Sequence, residues 1–145
     1  MKLNLSKSAY QLGYLLLIIL WGNTAASKLG NLHEFKAALA KQVFSEKFAA
    51  FLLVAVPAAE LLVATLLAFT KTRFYGLIAS LILITAFTVY IAFVLAGYFN
   101  KVPCSCGGVL KWLGWKAHLV FNLVFTAITL TTLIIHLKRE VRDKE

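Results

Sequence analysis

The stretch FAAFLLVAVPAAELLVATLLAF, residues 48–69, decides the fold class of this 145-residue chain. Its one charged side chain is Glu60, and a helix of this length covers the roughly 30 Å of hydrocarbon in a lipid bilayer. A single strand would leave its backbone groups unsatisfied in lipid, so a helix is the default for such a run. We therefore predict that residues 48–69 form a membrane-spanning helix.

Three further apolar runs accompany this one, at about 10–26, 74–98 and 117–137. Hydrophobic residues make up 61% of the chain and charged residues 14%, whereas soluble chains have about 45–50% and about 25%. A soluble domain this small could not hide so much apolar surface, but lipid can cover it. The sequence predicts an all-α membrane protein, a single domain of residues 1–145 built as a four-transmembrane-helix bundle.

The segment 29–47 joins the first two runs and is too short and too charged to span a bilayer. Its apolar residues recur at helical spacing with charged residues between them; they are Leu32, Phe35, Leu39 and Val43. This amphipathic pattern predicts a helix lying at the membrane surface. A solvated connector is the alternative. The first run could instead be a cleaved signal peptide, because Thr24-Ala25-Ala26 resembles a signal-peptidase site. We expect this run to be retained as the first helix.

The formal net charge of +9 could serve to bind either nucleic acid or lipid head groups. The basic residues lie at the ends of the apolar runs, where they meet lipid head groups, so we expect a bilayer and no nucleic acid as the partner. With both termini inside, eight Lys and Arg residues lie on the inner side and seven on the outer side. The inner ones crowd into short flanking segments, at 71–73 and 138–144, and flanking charges weigh most. This favours cytoplasmic termini and an outward-facing 99–116 connection.

Cys104 and Cys106 are the only cysteines, and they lie in the sequence PCSCGG, residues 103–108. Their spacing permits a disulfide only if the backbone turns, and two glycines favour such a turn. The short ring would gain little chain-entropy stabilisation, so a bridge here would serve reversible chemistry better than structure. Inert thiols in a tight turn are one alternative. Two ligands of a copper or zinc site are another, although the usual four-ligand set is absent, and we assign no metal site.

Glu60 is the only acidic residue inside a predicted span, three residues after Pro57. A lipid-facing carboxylate is costly, so we predict that Glu60 faces the bundle interior. It would serve as a proton acceptor or as a hydrogen-bond partner of a redox ligand, or else form a structural hydrogen bond between helices. His118 begins the fourth run and could take a proton from a nearby thiol, or else anchor the helix at the interface. We interpret His33 and His136 as surface residues.

These motifs resemble the MauE/DoxX family over nearly the whole chain. Pro57-x-x-Glu60, preceded by a helix ending in Lys28 and a surface segment, is similar to that family's Pro-x-x-Glu helix. PCSCGG followed by Trp115-x-x-His118 resembles its redox-associated membrane proteins. The resemblance implies a four-helix protein of the bacterial inner membrane, linked to disulfide chemistry outside the cytoplasm.

The resemblance also implies a partner, because MauE-like proteins are associated with maturing a disulfide-rich amine dehydrogenase beside a thioredoxin-like protein. Quinone-linked disulfide enzymes such as DsbB and the vitamin K epoxide reductases are looser analogues, which makes a quinone a candidate cofactor, although no cofactor follows from the residues. The chain lacks their Cys-x-x-Cys motif and a second cysteine pair. A shuttle between two pairs within one chain is therefore excluded.

Three functional hypotheses follow. The leading one is a thiol–disulfide oxidoreductase in which Cys104 and Cys106 exchange electrons with an extracytoplasmic partner, assisted by His118 and Glu60. The alternative is a non-catalytic subunit of a larger membrane complex, with the cysteine loop as a structural or docking element. The third is a metal-handling membrane protein.

Overall fold

The computed structural model describes residues 2–99 and 114–142. This part of the chain is helical, and its α-helices are α1 (Lys2–Gly30), α2 (Leu32–Ala40), α3 (Glu46–Ala68), α4 (Arg73–Leu95) and α5 (Trp115–Arg142). A short 3-10 turn, Thr70–Thr72, joins α3 to α4. Helices α1, α3, α4 and α5 are each long and apolar enough to cross a membrane. The predicted all-α membrane bundle with four spanning helices is confirmed.

The four long helices run up and down, which sorts their ends onto two faces. Helix α1 packs mainly against α3, and α4 mainly against α5, while α3–α4 and α1–α5 contacts complete the bundle. We call the end with the start of α1, the α3–α4 turn and the end of α5 the terminal face. We call the opposite end, with α2, the end of α4 and the start of α5, the loop face. The segment that carries Cys104 and Cys106 lies outside the described residues; along the chain it follows α4 and precedes α5.

The core lies between the long helices, and lipid must cover much of the rest. The buried hydrophobic cluster is formed by residues of α1, α3 and α4; its members are Tyr14, Leu17, Trp21, Val63, Leu67, Leu77 and Ile84. The indole nitrogen of Trp21 donates a 2.8 Å hydrogen bond to the Ser80 hydroxyl, which ties α1 to α4. Phe51 and Val54 of α3 are 63% and 70% exposed. Such outward apolar side chains are expected where the solvent is hydrocarbon.

The helix predicted within the segment 29–47 is present as α2, although it is shorter than that segment. Its position at the membrane surface stays a prediction. Phe35 and Leu39 are buried, whereas Leu32 and Val43 are exposed. The helix ends at Ala40, and α3 begins after Ser45, whose side chain accepts a hydrogen bond from the Phe48 backbone N–H. The apolar face of α2 therefore consists of Phe35 and Leu39, and is narrower than the predicted set of Leu32, Phe35, Leu39 and Val43.

The α3–α4 hairpin depends on a close helix approach at Gly76. A Cβ atom at this position would lie 2.8 Å from the Leu67 backbone nitrogen and 3.0 Å from the Leu66 carbonyl carbon. Backbone atoms cannot rotate away, so we expect Gly76→Ala to destabilise the protein by about 1–3 kcal/mol, as overpacking usually does. Thermal unfolding of the purified protein in detergent measures this loss.

Gly22 provides the matched control for that substitution. It also lies inside a spanning helix, but a Cβ atom there would meet nothing within 4 Å. Gly22→Ala should leave the melting temperature unchanged or raise it, because alanine favours helix more than glycine does. The close approach at Gly76 would be contradicted if both variants melted at the same temperature as the parent protein.

Candidate functional site

A buried ion pair joins α1 to α3 inside the bundle. The ammonium nitrogen of Lys28 lies 2.7 Å from Oε1 of Glu60, and the two side chains are 10% and 1% exposed. The Lys28 ammonium also lies 5.8 Å from the ring centroid of Phe35 in α2. The pair is thus the point at which α1, α2 and α3 meet. Glu60 faces the interior, as predicted.

Local sequence explains why α3 carries its polar group there. Pro57 and Glu60 are three residues apart, so they share one helix face, and both are buried. Proline has no backbone N–H, so the carbonyl of Leu53, one turn earlier, loses its helical donor. This stretch of α3 is therefore more polar than its apolar side chains indicate.

One carboxylate oxygen of Glu60 has no partner within the described part of the chain. Oε2 is buried and accepts no hydrogen bond there. The Thr24 side chain approaches the carboxyl group, but its hydroxyl donates to the Trp21 carbonyl at 3.1 Å. A buried acceptor without a donor costs free energy. The site can therefore hold a proton or accept a hydrogen bond from a ligand.

A second cluster lies at the loop face and is centred on Tyr90 of α4. Its ring centroid lies 6.1 Å from that of Phe99 and 6.4 Å from that of Trp115. Its hydroxyl donates a hydrogen bond to Oε1 of Gln42, a buried residue just after α2. We call Gln42, Tyr90, Phe99 and Trp115 the loop-base cluster. It holds together the two chain ends that enter and leave residues 100–113, which contain the cysteine pair.

His118 lies in the first turn of α5, and its backbone N–H donates to the Gly114 carbonyl at 3.0 Å. The residue is half-buried and interacts with its surroundings. Cys104 and Cys106 lie outside the described residues. The predicted approach of His118 to a thiol, and the catalytic roles of His118 and Glu60, remain predictions.

Sequence reasoning missed the partner of Glu60 and the contacts of His136. The sequence did contain a signal for the Lys28–Glu60 pair, because Lys28 is the cation that ends the first apolar run and Glu60 is the only acid within a span. His136 is half-buried, and the surface interpretation did not include its contacts. Its Nδ1 lies 2.8 Å from the Tyr10 hydroxyl and its ring stacks on Phe74. His33 is exposed, as predicted.

Metal binding finds no support in the part of the chain that the structure describes. No group of three or more His, Cys, Asp or Glu side chains there could hold a metal ion. The cysteines lie outside that part, so the metal-handling hypothesis remains untested.

Four spanning helices around a buried ion pair define a multi-pass membrane protein with a polar centre. Residues 6–135 match the sequence model of the family described as methylamine utilisation protein MauE, and the chain belongs to that family. The MauE part of the resemblance is thereby confirmed, and the DoxX part stays a prediction. No curated protein and no solved structure matches the chain.

Proposed function

We propose that the protein is a membrane-embedded thiol–disulfide relay of the methylamine-utilisation system. Cys104 and Cys106 would exchange with an extracytoplasmic partner, either a thioredoxin-like protein or a disulfide-containing substrate. The observation that carries the proposal is the loop-base cluster, because Tyr90 contacts both Phe99 and Trp115. Contacts that link both ends of a short cysteine-bearing segment suit a loop that presents its sulfurs to another protein.

The two proteins alone supply all the electrons and protons that the exchange requires. The thiolate of one cysteine attacks a disulfide sulfur of the partner, which forms a mixed disulfide and releases one partner thiolate. The second cysteine then attacks the mixed disulfide. A Cys104–Cys106 bond forms, and the partner leaves as a dithiol with two electrons and two protons from the pair. The reverse sequence oxidises the partner. His118, at the start of α5, would accept and return the thiol proton.

Glu60 would serve the same relay from within the bundle. Its free oxygen, Oε2, is a buried acceptor beside the Lys28 ammonium. In the proposal it receives a proton or binds a hydroxyl donor of a redox ligand. A hydroquinone has such a donor, so a quinone is the ligand class to test first.

The proposed orientation places both termini in the cytoplasm of a bacterial cell and the loop face outside. The terminal face carries basic residues at the α3–α4 turn and on α5; they are Lys71, Arg73, Lys138 and Arg139. A membrane-impermeant maleimide, added to intact cells with an opened outer membrane and reduced thiols, should label Cys104 or Cys106. An Asp143→Cys substitution in a Cys104→Ser/Cys106→Ser background should stay unlabelled until the cells are lysed. The reverse pattern would overturn the orientation.

Single cysteine variants test the relay itself. We expect Cys104→Ser or Cys106→Ser to accumulate a mixed disulfide with the partner, because the thiol that resolves the intermediate is gone. Acid quench, alkylation and non-reducing electrophoresis detect the adduct, and mass spectrometry identifies the partner. Ser105→Ala is the matched control, since it alters the same loop, keeps both thiols and should trap nothing. Thiols that stay reduced in every redox buffer would refute the relay.

A further inference from the structure

A basic pocket opens at the terminal face, away from the ion pair and the loop-base cluster. It has a volume of about 480 Å³ and lies between the start of α1, the α3–α4 turn and the end of α5. Four of its lining residues are lysines or arginines from three parts of the chain; they are Lys7, Lys71, Arg73 and Arg139. The acidic residue in the lining is Glu140. The pocket therefore carries a clear excess of positive charge.

Aromatic rings hold the two arginines in place. The guanidinium carbon of Arg73 lies 4.7 Å from the ring centroid of Tyr14, and that of Arg139 lies 4.7 Å from the ring centroid of Tyr10. A guanidinium stacked on a ring keeps the N–H groups along its edge available for hydrogen bonds. One N–H of Arg73 is already used, because its Nε donates to the Leu67 carbonyl at 3.3 Å. Each arginine thus contacts an aromatic ring in the absence of a ligand.

His136 completes this arrangement. Its Nδ1 is hydrogen-bonded to the Tyr10 hydroxyl at 2.8 Å and lies 3.1 Å from the Tyr14 hydroxyl. Its ring centroid lies 6.0 Å from that of Tyr10 and 6.0 Å from that of Phe74, with interplanar angles of 13° and 21°. The tyrosines that carry the two arginines are thereby tied to α5. Such preorganisation lowers the entropy cost of binding a ligand.

The position of the pocket indicates the kind of ligand. The pocket lining includes Thr70, where the candidate spanning segment Thr70–Leu95 begins, so the pocket lies at the end of a membrane helix. Guanidinium groups pair with phosphate oxygens in a bidentate way, and basic pockets between membrane helices bind anionic head groups. We propose that this pocket binds a phosphate group, carried by an anionic lipid or by a soluble phosphate compound. The proposal does not depend on the thiol relay.

Binding to the full-length protein in detergent micelles tests the proposal with three probes. These are phosphatidylglycerol, phosphatidylcholine and inorganic phosphate, and native mass spectrometry or a thermal shift reports binding. We expect phosphatidylglycerol to bind at least about tenfold more tightly than phosphatidylcholine, whose choline cancels the phosphate charge. Displacement of the lipid by millimolar inorganic phosphate would assign the site to soluble phosphate compounds, and a lack of displacement would assign it to lipid.

Paired charge removals decide whether the pocket is responsible. Lys71→Gln/Arg139→Gln should weaken phosphatidylglycerol binding about 25-fold, at roughly a factor of five for each lost cation. Lys138→Gln/Arg142→Gln removes the same amount of charge from the terminal face but outside the pocket lining, and should change affinity less than twofold. If the first variant unfolds, Lys7→Gln/Lys71→Gln replaces it in the test, because it leaves both arginine–tyrosine contacts intact. Equal affinities in pocket and control variants, or equal binding of the two lipids, would overturn the proposal.

Discussion

Replacing Lys28 by methionine should destabilise the protein by about 3–5 kcal/mol, because it removes one partner of a buried ion pair. The Glu60 carboxyl group is 1% exposed and 2.7 Å from the lysine ammonium. Its other oxygen already lacks a hydrogen bond within the described part of the chain. Without Lys28, neither carboxylate oxygen would have a charged partner. Chemical or thermal unfolding in detergent measures the loss.

Three further variants show whether the pairing causes this effect. Glu60→Gln should cost less than Lys28→Met, because the amide keeps an oxygen that accepts from the ammonium. Lys28→Met/Glu60→Leu should recover much of the stability, since apolar residues can replace a buried pair without leaving a charge behind. Lys36→Met removes an exposed lysine of α2 and should be nearly neutral. If Lys28→Met were as stable as Lys36→Met, the ion pair would contribute nothing to folding.

The same variants separate stability from function. If Glu60 moves a proton or binds a redox ligand, then Lys28→Met/Glu60→Leu should fold but fail in thiol exchange with the partner. If the pair is only structural, the double variant should fold and retain full exchange. A buried pair that an apolar pair can replace without loss of activity has no part in the chemistry.

The sequence predicted the bundle well because membrane insertion imposes a simple physical constraint. Runs of about 20 apolar residues have few alternatives in a chain that is 61% hydrophobic. The inward direction of Glu60 followed from the same constraint, since lipid solvates a carboxylate poorly. Its partner did not follow. A lysine at the end of an apolar run, such as Lys28, can equally extend its charge to the head groups, and only the packing of α1 against α3 turns it inward.

The pocket at the terminal face was unpredictable for a related reason. Tyr10, Tyr14 and His136 lie at opposite ends of the sequence, and each looks like an ordinary interfacial residue. Their hydrogen bonds depend on the contact between α1 and α5, which periodicity within either helix does not reveal. The surface interpretation of His136 did not include these contacts because it used only the position of the residue in its own helix. Pairings between helices are fixed by rotation and depth, and neither can be read from a single apolar run.

Removing both sulfurs, with Cys104→Ser/Cys106→Ser, should abolish exchange with the partner while changing stability by less than about 1 kcal/mol. Exchange needs a nucleophilic thiolate, and a serine hydroxyl cannot replace it. Stability should hardly change, because a crosslink that closes so small a ring restricts little of the unfolded chain. Partner redox state, followed by alkylation in membranes, and thermal unfolding measure the two effects on one preparation. Ser105→Ala is again the control and should preserve both.

The two readouts together distinguish the relay from a structural subunit. Full loss of exchange with an unchanged melting temperature is the result that a relay requires. A clear fall in melting temperature, together with a disulfide that no reductant opens in the folded protein, would make the loop a fixed docking element of a larger complex. A double variant with normal exchange and normal stability would remove the cysteines from both roles. The phosphate pocket and the Lys28–Glu60 pair would then have to account for what the bundle does in the membrane.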